Sequence, residues 1–148
     1  ESGFFNFKKS LVKKLRNAPN IRRLRIRFRV FIKVVYVLLK YKDLEIFKRW
    51  VEITMTRLPY KFHRRFLYSL KVLFFIYLFP YYKLFNVLGL VIKTSGKISL
   101  GGNSKTRTYY IKSGKYPRTT KSLKLLFAQS NVFTLSGALG LCFYFTYL

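Results

Sequence analysis

The chain of 148 residues carries 30 lysine and arginine side chains against four carboxylates, which gives a formal net charge of +26 at pH 7. Such a charge destabilises a compact chain by self-repulsion, so we expect a folded state that a polyanion neutralises. The composition also argues against an enzyme, because one His and one Cys cannot form a structural zinc site and no nucleophile elbow is present. We therefore expect no catalytic residue, no metal and no cofactor.

The partner should be one of two polyanions, a membrane surface or a nucleic acid. Hydrophobic residues make up 51% of the sequence and aromatic residues 20%, so the chain has enough apolar surface to fold. The longest uncharged stretch, residues 125–148, has the length of a membrane span, but it contains polar side chains and is divided by Gly137 and Gly140. We favour a nucleic acid and expect no membrane contact, with a small basic membrane protein as the alternative.

The first 40 residues predict one helix and one strand. Apolar residues recur at helical spacing over residues 4–16, which predicts an amphipathic helix. Residues 23–30 alternate arginine with apolar side chains, which is the period of a strand, and residues 31–39 extend that strand or form a second one. Like charges on one strand face repel, so we interpret the arginine face as an RNA contact rather than a solvated surface. Its members are Arg23, Arg25, Arg27 and Arg29.

Two helices are predicted next. Asp43 is a suitable N-cap for a helix that ends before Pro59. A second helix should begin near Tyr60 and stop before Pro80, because proline disrupts a helix interior. The side chains of the first helix that we expect to face inward are Leu44, Phe47, Val51, Met55 and Leu58.

The second of these helices has a basic face. Solvated faces normally mix both signs of charge, whereas no carboxylate side chain follows Glu52 in this sequence. Past Val72 every face of the helix is apolar, so we expect that end to be buried. The residues of the basic face are Lys61, Arg64, Arg65, Tyr68 and Lys71.

Short β-prone segments separated by glycine-containing turns predict a sheet. We expect strands at residues 90–94 and 106–112, followed by apolar segments at 123–128, 132–135 and 139–147. This order indicates an α+β fold with two helices packed on a three- to four-stranded, mostly antiparallel sheet. A basic sheet edge would contact phosphate. It comprises Lys93, Lys97, Lys105, Arg107, Lys112, Lys115 and Arg118.

Several motifs, in order, carry a resemblance to a known family. Segment 89–97 (GLVIKTSGK) resembles the glycine-to-glycine strand and basic residue that open the C-terminal sheet of small-subunit ribosomal protein 3. Residues 107–108 with the GKYP turn at 114–117 are similar to that family's next strand and turn. The GALG segment at 137–140 is similar to its closing element, and FHRR at 62–65 resembles its basic helix.

The resemblance implies a domain organisation. Residues 4–37 are similar, more loosely, to the last helix and strand of the family's RNA-binding K-homology domain. We therefore expect a partial K-homology-like segment over residues 1–40 and the family's C-terminal domain over residues 41–148. The Gly-x-x-Gly clamp of a K-homology domain is missing, so the clamp function is not implied. Two sources of the rest of that domain stay open: a longer chain of which this sequence is a fragment, or a separate chain.

The resemblance also implies a function. Members of the family lie in the head of the small ribosomal subunit, beside other head proteins, and line the mRNA entry channel. Lys61, Arg64, Arg65 and Lys71 would then contact mRNA, while the arginine face and the basic sheet edge would contact small-subunit rRNA. The abundance of Phe, Tyr and Lys suits an AT-rich organellar gene and indicates a mitochondrial ribosome. A free-standing RNA-binding module is the other alternative.

Overall fold

The chain forms a block of helices followed by a block of strands. The computed structural model describes residues 2–16, 28–59, 62–96, 107–114, 124–134 and 137–147. Its elements are α1 (Ser2–Arg16), α2 (Phe28–Tyr41), α3 (Leu44–Arg57), α4 (His63–Val72), a π-helical segment (Leu73–Leu78), α5 (Phe79–Tyr82), β1 (Val87–Gly96), β2 (Arg107–Gly114), β3 (Lys124–Thr134) and β4 (Gly137–Tyr147).

The four strands form one antiparallel sheet in the order β2-β1-β4-β3. The α+β fold expected from the sequence is confirmed. The strand segments expected from residue 90 onward are present, but the two separate apolar segments at 123–128 and 132–135 are parts of one continuous strand, β3. Since β2 and β3 are the two edge strands, the sheet has two inner strands, β1 and β4.

The helices cover one face of this sheet. α3 packs over β3 and β4, α4 contacts β2, α2 lies on α3, and α1 contacts α2 and the π-helical segment. Phe47 of α3 is fully buried at the centre, with its ring centroid 5.4 Å from that of Phe74 and 5.8 Å from that of Phe143. One hydrophobic cluster extends from Phe7 of α1 to Phe145 of β4.

Helix α3 follows the sequence prediction closely. The Asp43 side chain accepts a hydrogen bond from the Ile46 backbone N–H at 3.4 Å, so the predicted cap is present. The helix ends at Arg57 and Leu58 is extended, as expected for a residue before a proline. The apolar face is buried as predicted at Leu44, Phe47, Val51 and Met55, and Leu58 is partly buried against the core.

Helix α2 is a correction, because the sequence predicted a strand there. Residues 28–41 are helical, so Arg29 lies on a helix and not on a strand face. Eleven of its 14 residues are hydrophobic, and the arginine alternation that ends at Val30 obscured the helical spacing of the three cations in the run. Its 14 residues match a helix better than a strand. Burial of Phe31, Val35 and Leu38 at helical spacing against the core outweighs β-propensity.

The helix after Pro59 also differs from the prediction, because it continues through Pro80 to Tyr82. The six residues before Phe79 form a π-helix. A π-helical turn is wider than an α-helical one, so the carbonyls that a proline ring would otherwise clash with are displaced.

The apolar end of this helix is not uniformly buried, contrary to the prediction. Leu73, Phe74 and Leu78 are buried, but Phe75 is 61% exposed. Ile76 and Phe79 are also exposed. The segment packs against the sheet on one side only, and its apolar composition continues around to the side that faces away.

Candidate nucleic-acid interface

The described carboxylate side chains are all on α3 or at its N-cap, where each is engaged. Asp43 caps the helix, and Glu45 pairs with Lys48 at 2.8 Å. Glu52 accepts a hydrogen bond from the Ser130 hydroxyl at 2.8 Å. Since no Asp or Glu follows Glu52, the surfaces formed by α4 and the strands have no carboxylate side chain of their own. Their positive charge is therefore not mixed with negative charge.

Helix α4 separates its apolar and basic residues onto opposite sides. Its buried side includes Phe66, Leu67 and Leu70. The opposite side, which we call the α4 basic face, consists of Arg64, Arg65, Tyr68 and Lys71, and all four side chains are exposed.

The guanidinium of Arg65 lies 5.7 Å from the ring centroid of Phe62, which is within the range of a cation–π contact. This contact orients one arginine at the start of the helix. The α4 basic face is therefore an exposed cationic stripe about two turns long, carried by a helix that is anchored in the core.

Helix α2 carries a second basic stripe, which the predicted strand did not reveal. Arg29, Lys33 and Lys40 are exposed and recur at helical spacing, while most of the apolar residues between them are buried, with Val30 as the exposed exception. The signal was present in the sequence as the intervals of four and seven residues between the cations. Arg29 is thus exposed, as an RNA contact requires. It shares its surface stripe with Lys33 and Lys40 of α2 and not with arginines of a strand face.

The sheet face away from the helices carries aromatic and basic side chains together. We call it the open sheet face. Tyr110 of β2 lies directly opposite Lys93 of β1, and Lys112 lies two residues along β2 on the same face. The Lys93 and Lys112 ammonium groups are 6.0 Å and 5.2 Å from the Tyr110 ring centroid. Lys93 is therefore on an inner strand, not at the sheet edge as predicted, whereas Lys112 is on an edge strand.

The two neighbouring tyrosines of β2 point to opposite sides, as side chains of a strand alternate. Tyr109 packs against the core, and Tyr110 is 48% exposed on the open sheet face. Tyr109 lies on the same face of the strand as the apolar Ile111, which is fully buried. The alternation of side chains around Ile111 would therefore have predicted from the sequence which tyrosine faces the core.

A second aromatic pair on the open sheet face was missed. Phe127 of β3 and Tyr144 of β4 are cross-strand partners, with ring centroids 5.1 Å apart. Phe127 is 53% exposed. Between them β3 and β4 carry one charged residue, Lys124, so alternation along these strands did not indicate which face would be left open, and the pair could be recognised only from the sheet order.

Not every lysine is available to a ligand. Lys42, between α2 and α3, donates hydrogen bonds to the backbone carbonyls of Leu39 and Phe85. Burial lowers the pKa of its ammonium group below the usual value. Lys42 therefore serves the fold, by joining the end of α2 to the turn before β1.

The remaining predicted contacts lie outside the described residues. Among the predicted mRNA contacts, Lys61 lies outside them. Among the predicted rRNA contacts, those outside the described residues are Arg23, Arg25, Arg27, Lys97, Lys105, Lys115 and Arg118. Arg107 is the first residue of β2.

Two further properties concern the described part of the chain. No three His, Cys, Asp or Glu side chains come together there in a group that could hold a metal ion. Among the helices described, none combines the length and the hydropathy needed to cross a membrane.

The sequence matches no model of a known protein family, and no curated protein matches it.

Proposed function

We propose that this chain is an RNA-binding structural constituent of the small ribosomal subunit, in the head at the mRNA entry channel of a mitochondrial ribosome. The observation that carries the proposal is the separation of charge: exposed cations occupy α2, α4 and the open sheet face, whereas the described carboxylates are confined to α3 and its cap. A polyanion that covers these surfaces removes the self-repulsion. The ribosomal assignment itself rests on the sequence motifs around residues 62–65, 89–97, 114–117 and 137–140.

The α4 basic face is assigned to incoming mRNA. Arg64 and Arg65 are adjacent and exposed in the first turn of the helix, and Lys71 lies near its end. Contacts of arginine and lysine with phosphate hold a nucleic acid without reading its sequence, which suits a surface that every message must pass. By holding one strand, the face would favour the separation of paired message, and the work of separation would come from translocation.

The other basic surfaces are assigned to small-subunit rRNA. Arg29, Lys33 and Lys40 form a stripe on α2, and Lys93 and Lys112 belong to the open sheet face. These surfaces lie on different sides of the domain, since α2 belongs to the helical layer and the open sheet face is turned away from it. An RNA that surrounds the chain, as rRNA surrounds ribosomal proteins, can reach all of them.

Two other functions make different use of the same surfaces. A basic membrane protein would bury the exposed apolar residues Phe75, Ile76 and Phe79 in lipid, with its cations on anionic head groups. A free-standing RNA-binding module would use the same cations as we propose, but it would not be part of a ribosome. The location of the chain in a cell lysate separates the three functions.

The test is sedimentation of a lysate through a sucrose gradient, followed by mass spectrometry of the fractions, with and without ribonuclease treatment. We expect the chain in the small-subunit fraction, and we expect ribonuclease to release it. Recovery with membranes after high-salt or alkaline extraction would contradict the proposal in favour of the membrane protein. Recovery in light RNA-containing fractions alone would contradict the ribosomal assignment and favour the free-standing module.

A further inference from the structure

Tyr110 lies between the side chains of Lys93 and Lys112 on the open sheet face. Its ring is about half exposed, and the two ammonium groups lie 5.2 Å and 6.0 Å from its centroid. These distances are at the outer end of the cation–π range, and stacking of a base on an aromatic ring is stronger than an exposed contact of that kind. A nucleic-acid base can therefore displace the two lysine ammonium groups from the ring, and these ammonium groups can then contact phosphates of the same strand.

The Phe127–Tyr144 pair extends the aromatic surface across the sheet. Tyr144 lies in the same cross-strand row as Lys112, with Val91 between them on β1. From the spacing of strands and of residues along them, the Tyr144 position lies about 12 Å from that of Tyr110. The two aromatic positions are thus far enough apart to serve two different bases of one strand.

The rest of the face mixes polar side chains with apolar ones, since Leu125 and Phe133 of β3 are also exposed on it. Gln129 and Asn131 of β3 lie on the same face as Phe127, and Ser95 and Thr108 occupy the next cross-strand row beyond Tyr110. A lipid surface or an apolar protein surface would leave these groups without hydrogen bonds. Unpaired bases instead offer donors and acceptors at their edges and a π-face for stacking.

A duplex is also a poor match for this surface. In a duplex the bases are stacked on one another and present only their edges, so a ring such as Tyr110 has no base face to contact. The open sheet face therefore fits single-stranded RNA.

We infer that the open sheet face is a stacking platform for single-stranded RNA. Tyr110 stacks on one unpaired base, Lys93 and Lys112 contact the phosphates beside it, and the Phe127–Tyr144 pair receives a second base of the same strand. This inference rests on the proposed function in one respect, which is that the polyanion is RNA. It adds that this part of the chain contacts bases as well as phosphates.

The test compares the full chain with three variants, Tyr110→Leu, Tyr110→Phe and Tyr41→Leu. Tyr41 is the matched control, because it is an exposed tyrosine with a lysine near its ring but lies on α2. Affinity is measured by fluorescence anisotropy for a single-stranded oligoribonucleotide, an abasic oligomer with the same number of phosphates, and an RNA duplex. Circular dichroism of each variant establishes that it is folded, and quenching of a 2-aminopurine base in the single strand reports stacking directly.

We expect the wild type to bind the single strand more tightly than the abasic oligomer. Tyr110→Leu should lose about tenfold in affinity for the single strand and little for the abasic oligomer, while Tyr110→Phe and Tyr41→Leu stay within about twofold of the wild type. Only Tyr110→Leu should lose a large part of the 2-aminopurine quenching. Equal affinity of the wild type for base-containing and abasic strands, or equal losses in Tyr110→Leu and Tyr41→Leu, would overturn the stacking platform alone. Absence of binding to all three oligomers would overturn the proposed function as well.

Discussion

The Ser113 hydroxyl of β2 donates a hydrogen bond at 3.1 Å to the backbone carbonyl of Phe74, which lies in the π-helical segment. Ser113 accepts a hydrogen bond from the Tyr82 hydroxyl at 3.0 Å. Both bonds are buried, and they connect the sheet to the part of the helix that accommodates Pro80. The irregular helix is thus held by a specific polar chain in addition to apolar contacts.

Replacing Ser113 by alanine should destabilise the fold. The change leaves the Tyr82 hydroxyl without its acceptor in a buried place, a loss of about 1–3 kcal/mol. The measurement is thermal unfolding followed by circular dichroism, in the presence of the same saturating RNA for all variants. Ser10→Ala is the control, because Ser10 makes an exposed hydrogen bond to the Tyr81 hydroxyl. Equal unfolding temperatures for Ser113→Ala and Ser10→Ala would contradict the role of the buried chain.

Tyr82 should make the stability of the fold depend on alkaline pH. Burial raises the pKa of its hydroxyl above the usual value of 10.0. Above about pH 10 the unfolded chain therefore loses this proton while the folded chain keeps it, so the free energy of unfolding falls as pH rises, by up to about 1.4 kcal/mol per pH unit. Tyr82→Phe removes this contribution and should show a shallower decline between pH 9 and 11 in denaturant titrations. Parallel curves for the two proteins would show that Tyr82 ionises equally in both states.

Gly114, at the end of β2, should not tolerate a side chain. Its φ is +82°, and a Cβ there would lie 2.1 Å from the carbonyl oxygen of Leu88. Gly114→Ala should cost about 1–3 kcal/mol, which is several degrees in the unfolding temperature of a chain of this size. Gly3→Ala is the matched control, since its Cβ would meet Tyr36 at an ordinary 3.5 Å and alanine favours the helix. An unfolding temperature of Gly114→Ala at or above that of Gly3→Ala would contradict the expected strain.

Loss of both arginines from the α4 basic face should affect translation selectively. With Arg64→Ala and Arg65→Ala combined, we expect slower passage through messages with stable hairpins and unchanged passage through unstructured ones, because only paired message must be held open. The control is Lys9→Ala with Lys13→Ala, which removes two exposed cations from α1. The measurement is the elongation rate on matched reporter messages, in a translation extract whose small subunits carry the variant chain at normal levels. Equal slowing on both messages would contradict the proposal that this face contacts mRNA.

Much of the fold could be predicted from local patterns. The Asp43 cap, the apolar face of α3, the break at Pro59 and the strands from Val87 onward all depend on short-range chemistry that the sequence displays directly. Helix α2 was missed because the arginine alternation that precedes it was extended into residues 31–39, although Arg29, Lys33 and Lys40 recur at helical spacing. The passage of the helix through Pro80 was missed because it depends on a π-helical segment and on Ser113, which is 33 residues away along the chain.

The candidate site was predictable in part. Arg64, Arg65 and Lys71 were found because helical spacing and the lack of later acids are visible in the sequence, and all three side chains are exposed. The open sheet face was not found, since it depends on the strand order and on which side the helices cover. Lys93, predicted to lie on an edge, is on an inner strand for the same reason. Whether these cations contact mRNA or rRNA stays a prediction.

The most direct test of the central claim, that RNA neutralises the positive surfaces of this chain in the cell, is ultraviolet crosslinking in intact cells. Mass spectrometry of the digested chain then identifies peptides that carry ribonucleotides, and sequencing identifies the crosslinked RNA. We expect adducts on the peptides that contain Tyr68 or Tyr110 and attached RNA from the small ribosomal subunit and from messages. A chain recovered in full without any ribonucleotide adduct, and with lipid as its bound polyanion, would contradict the claim.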